Sequence, residues 1–133
     1  MMIKIVCIGK LKEKFYRGAE EAYKRRIEKF IKIEIKEVKE IKEGCDFSIF
    51  LDEKGKEMDS ESFAKFLGDA ILKYKNVCFF IGSWKGFEEE AKEKADFLLS
   101  LSKMTFPYQL CRIILLEQIY RAFTIMKGIS YHK

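Results

Sequence analysis

The sequence predicts an α/β fold in which a mostly parallel sheet carries helices on both faces. Short apolar runs alternate with longer segments whose apolar residues recur at helical spacing, and Gly or other turn residues separate them. The 133 residues contain no internal repeat, low-complexity tract or linker. We therefore expect one domain, residues 1–133, built around a single core.

The first half of the chain predicts three strands and one helix. Residues 3–8 form a β-branched run typical of a buried strand, and 33–38 alternate apolar and charged residues as a half-exposed strand does. The apolar run at 47–51 is followed by turn residues at 52–55. Between 13 and 30, apolar residues recur at the spacing of a helix with one buried face. These residues are Phe15, Ala19, Ala22, Tyr23, Ile27 and Phe30.

The second half repeats this alternation. Asp59 or Ser60 suits the N-cap of a helix that includes Phe63. The most strand-like stretch of the chain follows at 77–81 and ends at Gly82. The remaining predicted elements are a helix at 88–95, a strand at 97–101, and a long helix at 107–127 for which Pro107 suits the first turn.

The last predicted helix is apolar on almost its whole circumference. Its polar strip is narrow and contains Glu117 and Arg121, which have the i,i+4 spacing of a salt pair. A helix of this kind must be covered on more than one side. We expect the sheet to cover one side and a second subunit to cover the other, as in a homodimer.

The net charge of +5 is unevenly distributed, because basic residues crowd the first third of the chain among interleaved acids. They indicate either a solvated helix face with i,i+4 ion pairs, which charge alone favours, or a surface that contacts phosphate groups. Charge does not decide between the two. The basic residues are Lys10, Lys12, Lys14, Arg17, Lys24, Arg25, Arg26, Lys29 and Lys32.

Composition argues against a metal site and against a membrane protein. The four cysteines lie in apolar neighbourhoods without a C-x-x-C pair, which is typical of small buried thiols, and His132 is the single histidine. No apolar run is long enough to span a membrane, and the N-terminus lacks a signal-peptide pattern. We expect a cytoplasmic protein without a structural metal.

Three loops follow predicted strands, at the edge where open parallel sheets bind ligands. They are residues 51–55, 81–86 and 101–107. None has the spaced glycines of a dinucleotide site or the Gly-Lys-Ser/Thr ending of a phosphate-binding loop. Each loop alone is typical of an ordinary turn.

These loops belong to a set of segments that is more specific than any one of them. The set comprises Ile8-Gly9-Lys10-Leu11-Lys12, residues 51–55, residues 98–107, residues 117–123 and the terminal Tyr131-His132-Lys133. It resembles the large-subunit ribosomal RNA pseudouridine methyltransferase H family, across the whole chain and most closely from Phe79 onward. The resemblance implies a SPOUT-class fold with a C-terminal trefoil knot, and the knot rests on the resemblance alone.

The resemblance also implies a reaction and a cofactor. The family methylates N3 of a pseudouridine in 23S ribosomal RNA on the assembled ribosome, using S-adenosylmethionine, as a homodimer and without a metal. Backbone amides in such loops can bond the adenine edge while apolar side chains flank its faces. The residues that would contact the cofactor are Leu51, Gly82, Leu101, Ser102, Lys103, Met104, Thr105 and Phe106.

The same resemblance places the terminal Tyr-His-Lys near the cofactor of the partner subunit. His132 is suited to accept the N3 proton, whereas without the resemblance it is most simply a disordered terminal residue. Arg121 is a candidate for RNA contact or for support of the cofactor loop, and the salt pair with Glu117 is the alternative. The candidate catalytic residues are thus His132, Tyr131 and Arg121, and the candidate RNA-binding residues are Lys133, Lys10 and Lys12.

The chain departs from the usual family pattern in three places. Gly82-Ser83 replaces a pair of glycines, so Ser83 would narrow the approach of the cofactor if its φ had to be positive. Trp84 follows, either as a cap on the pocket, a stacking partner for a base or a packed loop residue. Tyr108 stands where a histidine is common, and the segment 39–45 is short.

Two other functions remain open at this point. The runner-up is a non-catalytic ribosome- or RNA-binding domain of the same fold that has lost cofactor binding through the change at Gly82-Ser83-Trp84. A flavodoxin-like nucleotide domain has the same alternation of elements, but it leaves the terminal Tyr-His-Lys unexplained.

Overall fold

The computed structural model describes residues 1–42, 44–83 and 85–133, in which five strands and four helices alternate. In chain order they are β1 (Met2–Ile8), α1 (Lys14–Glu28), β2 (Lys32–Val38), β3 (Phe47–Glu57), α2 (Ser60–Lys73), β4 (Asn76–Ile81), α3 (Glu89–Glu93), β5 (Phe97–Ser100) and α4 (Tyr108–Met126). The strands form one sheet in the order β2-β1-β4-β3-β5, and all neighbouring pairs are parallel. The predicted α/β fold with a parallel sheet is confirmed.

Helices cover both faces of the sheet, as predicted. On one face α4 lies between α1 and α2, over inward-pointing strand residues such as Ile5 and Phe79. Successive strand residues point to opposite faces, so the Phe80 side chain points to the other face of the sheet. There it packs with Phe50 under Ala91 of α3. The predicted N-cap of α2 is also present, since the Asp59 carboxylate accepts a hydrogen bond from the Ser62 N–H at 2.7 Å.

The apolar circumference of α4 is covered largely within the chain. Leu115, Leu116 and Ile119 are fully buried, and α1 and α2 flank the helix above the sheet. The prediction of cover on more than one side is confirmed, but neighbouring helices supply the cover that we expected from a second subunit. The apolarity of α4 is therefore no evidence for a dimer.

The turn predicted at 52–55 is wrong. β3 continues through these residues to Glu57, and its pairing with β5 resumes after a register shift between Leu51 and Lys56. Gly55 permits the close approach of the two strands, because a Cβ at this position would lie 2.6 Å from the carbonyl carbon of Leu98. The turn-like residues 52–55 thus correspond to a register shift within β3.

The predicted buried face of α1 is correct for Ile27 and wrong for Phe15. Ile27 is fully buried and Tyr23 packs against the core, whereas the Phe15 side chain is 67% exposed. The i,i+4 ion pairs expected along α1 are also few. Among the described residues of α1, one i,i+4 pair forms, between Glu21 and Arg25 at 3.1 Å.

The expectation of four buried thiols is wrong for two cysteines. Cys45 and Cys78 form a disulfide that attaches the segment before β3 to β4, on the α3 face of the sheet. Cys7 is a buried thiol and Cys111 a half-buried one. Burial raises the pKa of Cys7 to about 12, so this thiol is protonated and unreactive at neutral pH.

Within the described residues, no helix combines the length and apolarity needed to cross a membrane. The same part of the chain brings together no group of three or more His, Cys, Asp or Glu side chains that could hold a metal ion.

Candidate active site

A cavity of about 310 Å³ opens at the carboxyl edge of the sheet. β4, β3 and β5 are neighbours in that order, so the loops after β4 and β5 meet the irregular part of β3, residues 51–56, at this edge. Seven of the eight residues expected to contact a cofactor line the cavity. They are Leu51, Gly82, Leu101, Ser102, Met104, Thr105 and Phe106.

Short-range hydrogen bonds hold the loop after β5 in shape. The Ser100 hydroxyl donates to the Ser102 carbonyl at 3.0 Å, and the Ser102 hydroxyl accepts from the Met104 N–H at 3.0 Å. The Thr105 hydroxyl donates to the Glu53 carboxylate at 3.0 Å and so joins this loop to β3. The protein's own hydrogen bonds therefore hold this wall of the cavity, which reduces the ordering cost of binding a ligand.

Lys103 is the expected cofactor residue that does not line the cavity. Its ammonium group points toward Glu57, 3.7 Å from the carboxylate, and the side chain is exposed. An interaction of Lys103 with a ligand in the cavity would thus have to use its backbone.

A tight turn follows β4 at the rim of the cavity. The Gly86 N–H donates to the Ser83 carbonyl at 2.8 Å, and Gly86 has a φ of +73°. A Cβ on Gly82 would lie 3.0 Å from the carbonyl carbon of Gly86, so this position admits only glycine without rearrangement. Ser83 lines the cavity with a negative φ, because no described non-glycine residue has a positive φ. The serine in place of a family glycine therefore causes no backbone strain, and Trp84 lies outside the described residues.

Charged side chains also line the cavity. Asp52 and Lys92 form an ion pair at 2.9 Å. Burial opposes ionisation of Asp52, but hydrogen bonds from the Lys54 N–H and from Lys92 outweigh it and lower the pKa of this carboxyl. The hydrogen bond to Asp52 raises the pKa of Lys92, so both groups are charged at neutral pH. This ion pair and the apolar residues Leu51 and Leu101 suit a ligand with a flat apolar part and a polar part.

Tyr108 connects this cavity to the loop after β1. It lines the cavity at the first turn of α4, and its ring packs against Gly9, where a Cβ would lie 3.4 Å from Cε2. Gly9 has a φ of +109°, a conformation that L side chains rarely adopt. The aromatic ring at the position of the family histidine thus has a packing role here.

The C-terminal residues fold back onto α4 and form a polar cluster around Glu117. The Glu117 carboxylate accepts hydrogen bonds from Arg121 at 2.7 and 3.2 Å and from the Tyr131 hydroxyl at 2.8 Å. The predicted Glu117–Arg121 pair is confirmed, and this hydrogen bond raises the pKa of Arg121. Desolvation and the hydrogen bond to Glu117 raise the pKa of Tyr131 to about 12. The tail is therefore an ordered part of the fold.

His132 contacts this cluster through Nδ1, which lies 3.0 Å from Nη1 of Arg121. A guanidinium can only donate, so Nδ1 must accept and the proton of the neutral ring is on Nε2. Nε2 lies 3.9 Å from the Glu61 carboxylate. Neither ring nitrogen has a free lone pair in this arrangement, and His132 can accept a further proton only after Nδ1 leaves Arg121.

Within one chain, α4 separates Arg121 of the tail cluster from the cavity. Cys111 lines the cavity, and Arg121 lies ten residues further along α4. At 1.5 Å per helical residue this separation is about 15 Å. One chain therefore brings the expected cofactor residues together and the expected catalytic residues together, but not the two sets with each other.

Comparison with known proteins identifies the family. Residues 1–132 match the family model described as a predicted SPOUT methyltransferase. The chain belongs to the SPOUT methyltransferase family. Two relatives named ribosomal RNA large subunit methyltransferase H, from Coprothermobacter proteolyticus and Caldicellulosiruptor saccharolyticus, are 44% and 39% identical to it. The alignments cover 100% and 99% of this chain and 100% of each relative.

A solved structure supports the fold of this SPOUT chain. A probable methylase family protein from Haemophilus influenzae Rd KW20 superposes with a TM-score of 0.65 at 12% identity, over 98% of this chain and 70% of that one. The alignments with the two relatives extend over 141 and 155 positions, so these proteins have residues that this chain of 133 lacks. The shortening of segment 39–45 stays a prediction, and Glu43 within it lies outside the described residues.

The three lysines expected to contact RNA occupy two places in this SPOUT protein. Lys10 and Lys12 lie in the loop after β1, next to the turn of α4 that lines the cavity. The Lys12 N–H donates to the Gln109 side chain at 2.7 Å. Lys133 is exposed at the end of the tail, beside His132.

Arg112 is the main residue of this region that the sequence prediction missed. Its side chain is buried in α4, where it forms 2.9 Å ion pairs with Glu20 of α1 and Glu37 of β2 and donates to the Gly9 carbonyl at 3.4 Å. The Glu37 carboxylate also accepts from the Leu11 N–H at 3.1 Å. A single arginine within the apolar stretch 110–116 is the signal that could have revealed a buried ion pair.

Proposed function

We propose that this chain is an S-adenosylmethionine-dependent methyltransferase that methylates N3 of a pseudouridine in 23S ribosomal RNA of the large ribosomal subunit. The observation that carries the proposal is the convergence of seven expected cofactor residues on one cavity. Full-length similarity to relatives named for methylation of large-subunit ribosomal RNA supports the choice of substrate. A ribosomal substrate also favours a cytoplasmic location.

The residues of the cavity fit this cofactor. A volume of about 310 Å³ is that of a small-molecule site, and Gly82 lets the turn to Gly86 pack closely along its wall. Leu51 and Leu101 would flank the adenine, and backbone groups of the loops would bond its edge. Glu53, fixed by Thr105, offers a carboxylate to the hydroxyl or amino groups of the ligand.

No protein side chain needs to form a covalent bond in this reaction. S-adenosylmethionine, when bound, supplies a methyl group on a positively charged sulfur. The protein must align the N3 nitrogen with that group, exclude water and accept the N3 proton, so positioning should supply much of the acceleration. His132 is the proposed acceptor, and it becomes available when Arg121 donates instead to a group of the substrate.

We propose that the complete site forms between two chains. Arg121 lies about 15 Å along α4 from Cys111, so within one chain this rigid helix holds it away from the cavity. In a homodimer, the tail of one subunit could reach the cofactor cavity of the other, and the trefoil knot implied by the family would hold the cavity loops. The candidate catalytic groups would then be Arg121, Tyr131 and His132 of the partner subunit.

Two measurements test the cofactor and the reaction. Calorimetric titration of the protein with S-adenosylhomocysteine should show saturable binding, and absence of heat and of thermal stabilisation would favour the non-catalytic RNA-binding domain. Large ribosomal subunits from a strain that lacks the gene should gain one methyl group on a pseudouridine when they are incubated with the purified protein and S-adenosylmethionine, as detected by mass spectrometry of the 23S fragment. Methylation of another base would contradict the proposed substrate.

A mixing experiment tests the composite site. One variant carries Gly82→Ala and an intact tail, and the other has an intact cavity and lacks residues 131–133. Each homodimer should be inactive, whereas random re-association should restore roughly a quarter of the wild-type activity, because half the dimers are mixed and each has one complete site. No recovered activity in a mixture shown to contain mixed dimers would contradict the proposal.

A further inference from the structure

An exposed aromatic ring marks a second surface close to the cavity. Phe15, in the first turn of α1, is 67% exposed, and its ring contact among the described residues is with Tyr16, at a centroid distance of 4.5 Å. Neither core cluster includes it. Burial in the core therefore does not explain a phenylalanine at this position.

The surroundings of Phe15 are positively charged. Lys10, Lys12 and Lys14 are exposed, and none of them forms an ion pair with a described residue. Glu20 in the same helix and Glu37 of β2 are paired with Arg112. Glu13 alone remains as an acid within the stretch of residues 10–15, so the surface is suited to an anionic partner.

The loop that carries these lysines is held in place. The Glu37 carboxylate accepts from the Leu11 N–H, and Gln109 accepts from the Lys12 N–H. Arg17 donates to the Lys12 carbonyl at 3.3 Å. A surface ordered in advance loses little conformational entropy when it binds a ligand.

This surface adjoins the cavity. Gln109, which holds Lys12, follows Tyr108, which lines the cavity and packs on Gly9 at the start of the loop. A strand bound along the loop would thus extend toward the place where the target nucleoside must lie.

We propose, on the basis of the proposed function, that Phe15 stacks on an unpaired base of the substrate RNA while Lys10, Lys12 and Lys14 contact the adjacent phosphates. Single-stranded RNA is bound in this way by an aromatic face beside positive charges. The ring recognises an unstacked nucleotide next to the methylated one and fixes the register of the strand at the cavity.

The test measures binding of a short single-stranded RNA by fluorescence anisotropy for wild type, Phe15→Ala, Phe15→Leu and Phe15→Trp. Loss of one stacked base should weaken binding about 5- to 150-fold in Phe15→Ala. Phe15→Leu should be similarly weak because leucine has no π face, and Phe15→Trp should bind at least as tightly as wild type. Lys14→Ala should reduce the slope of log K against log salt by roughly one phosphate contact.

Leu72→Ala is the matched control, because Leu72 is 83% exposed at the end of α2 and its loss removes a similar apolar surface elsewhere. It should leave RNA binding unchanged. Wild-type RNA binding by Phe15→Ala, or by Phe15→Leu, would overturn the proposal. So would slower methylation of ribosomal subunits by Phe15→Ala with unchanged binding of free RNA, which would indicate a protein contact. Failure of the wild type to bind S-adenosylhomocysteine would instead refute the proposed function.

Discussion

Replacement of Arg112 by methionine tests the buried ion-pair network that holds the loop after β1. Arg112 is 1% exposed and its guanidinium contacts two carboxylates and one carbonyl. Methionine fills a similar volume without a charge, so Arg112→Met leaves Glu20 and Glu37 without their partner. Removal of one member of a buried charge pair costs about 3 to 5 kcal/mol.

The expected loss lies at the lower end of this range. The side chains of Glu20 and Glu37 are 22% and 36% exposed, so water can solvate both carboxylates in part after the change. We expect the free energy of unfolding to fall by about 3 kcal/mol at pH 7, equivalent to roughly 10 °C in the melting temperature.

The loss should depend on pH in a defined direction. Burial alone would raise the pKa of Glu37, but hydrogen bonds from Arg112 and the Leu11 N–H outweigh it and hold the pKa below its usual value of 4.5. A carboxyl with a lowered folded-state pKa stabilises the fold above the unfolded-state pKa and loses this contribution as pH falls. The penalty of Arg112→Met should therefore be largest at neutral pH and smaller below pH 4.5.

Urea unfolding followed by circular dichroism, at one protein concentration, at pH 7 and at a pH below 4.5, measures the loss of unfolding free energy. Arg25→Met is the matched control, because its pair with Glu21 is exposed and should contribute less than about 1 kcal/mol. A loss in Arg112→Met below about 1 kcal/mol, or an equal loss at the two pH values, would refute the account of a buried, charge-dependent network.

Three further predictions concern the cavity, the tail and the disulfide. Gly82→Ala should weaken S-adenosylhomocysteine binding at least about 10-fold in calorimetry, because the new Cβ meets backbone at 3.0 Å. Glu117→Gln should lower the pKa of Tyr131 from about 12, measured by NMR titration, since it removes the charge that opposes ionisation. Reduction of Cys45–Cys78 should lower the free energy of unfolding by about 3 to 4 kcal/mol, given a sequence separation of 33.

Each of these three predictions has a control or a result that would contradict it. Gly18→Ala, at a helical position with open space around it, should bind the cofactor product like wild type. An unchanged Tyr131 pKa in Glu117→Gln would show that desolvation alone sets it. Alkylation of the unreduced, denatured protein should label two cysteines, and labelling of all four would contradict the disulfide.

Periodicity predicted the elements because each of them buries one or two regular faces. The run at 77–81 became β4, and the alternation at 33–38 became β2, with shifts of a residue at most at either end. Convergence of the loops at one edge follows from parallel strands alone. Which side chains line the cavity required the family resemblance, because no loop has a specific motif of its own.

The features that the sequence did not predict depend on long-range contacts. Arg112 pairs with acids 92 and 75 residues away, so neither partner can be found by local spacing. Cys45 and Cys78 join because the segment before β3 crosses the face of β4, which no cysteine spacing indicates. Phe15 has helical spacing with buried residues, yet the helix begins beyond the edge of the core and leaves the ring in solvent.

The structure changes the role expected of His132 in the C-terminal tail. Within one chain, Tyr131 and Arg121 donate to Glu117, and Arg121 also donates to Nδ1 of His132. A histidine whose acceptor nitrogen is hydrogen-bonded must first release that bond to take a proton there, so its presence alone does not make it a base. Proton transfer requires another acceptor for the Arg121 N–H, and a phosphate or base carbonyl of the docked RNA is the group that the proposed reaction brings there. Arg121 would thus couple substrate binding to the release of His132.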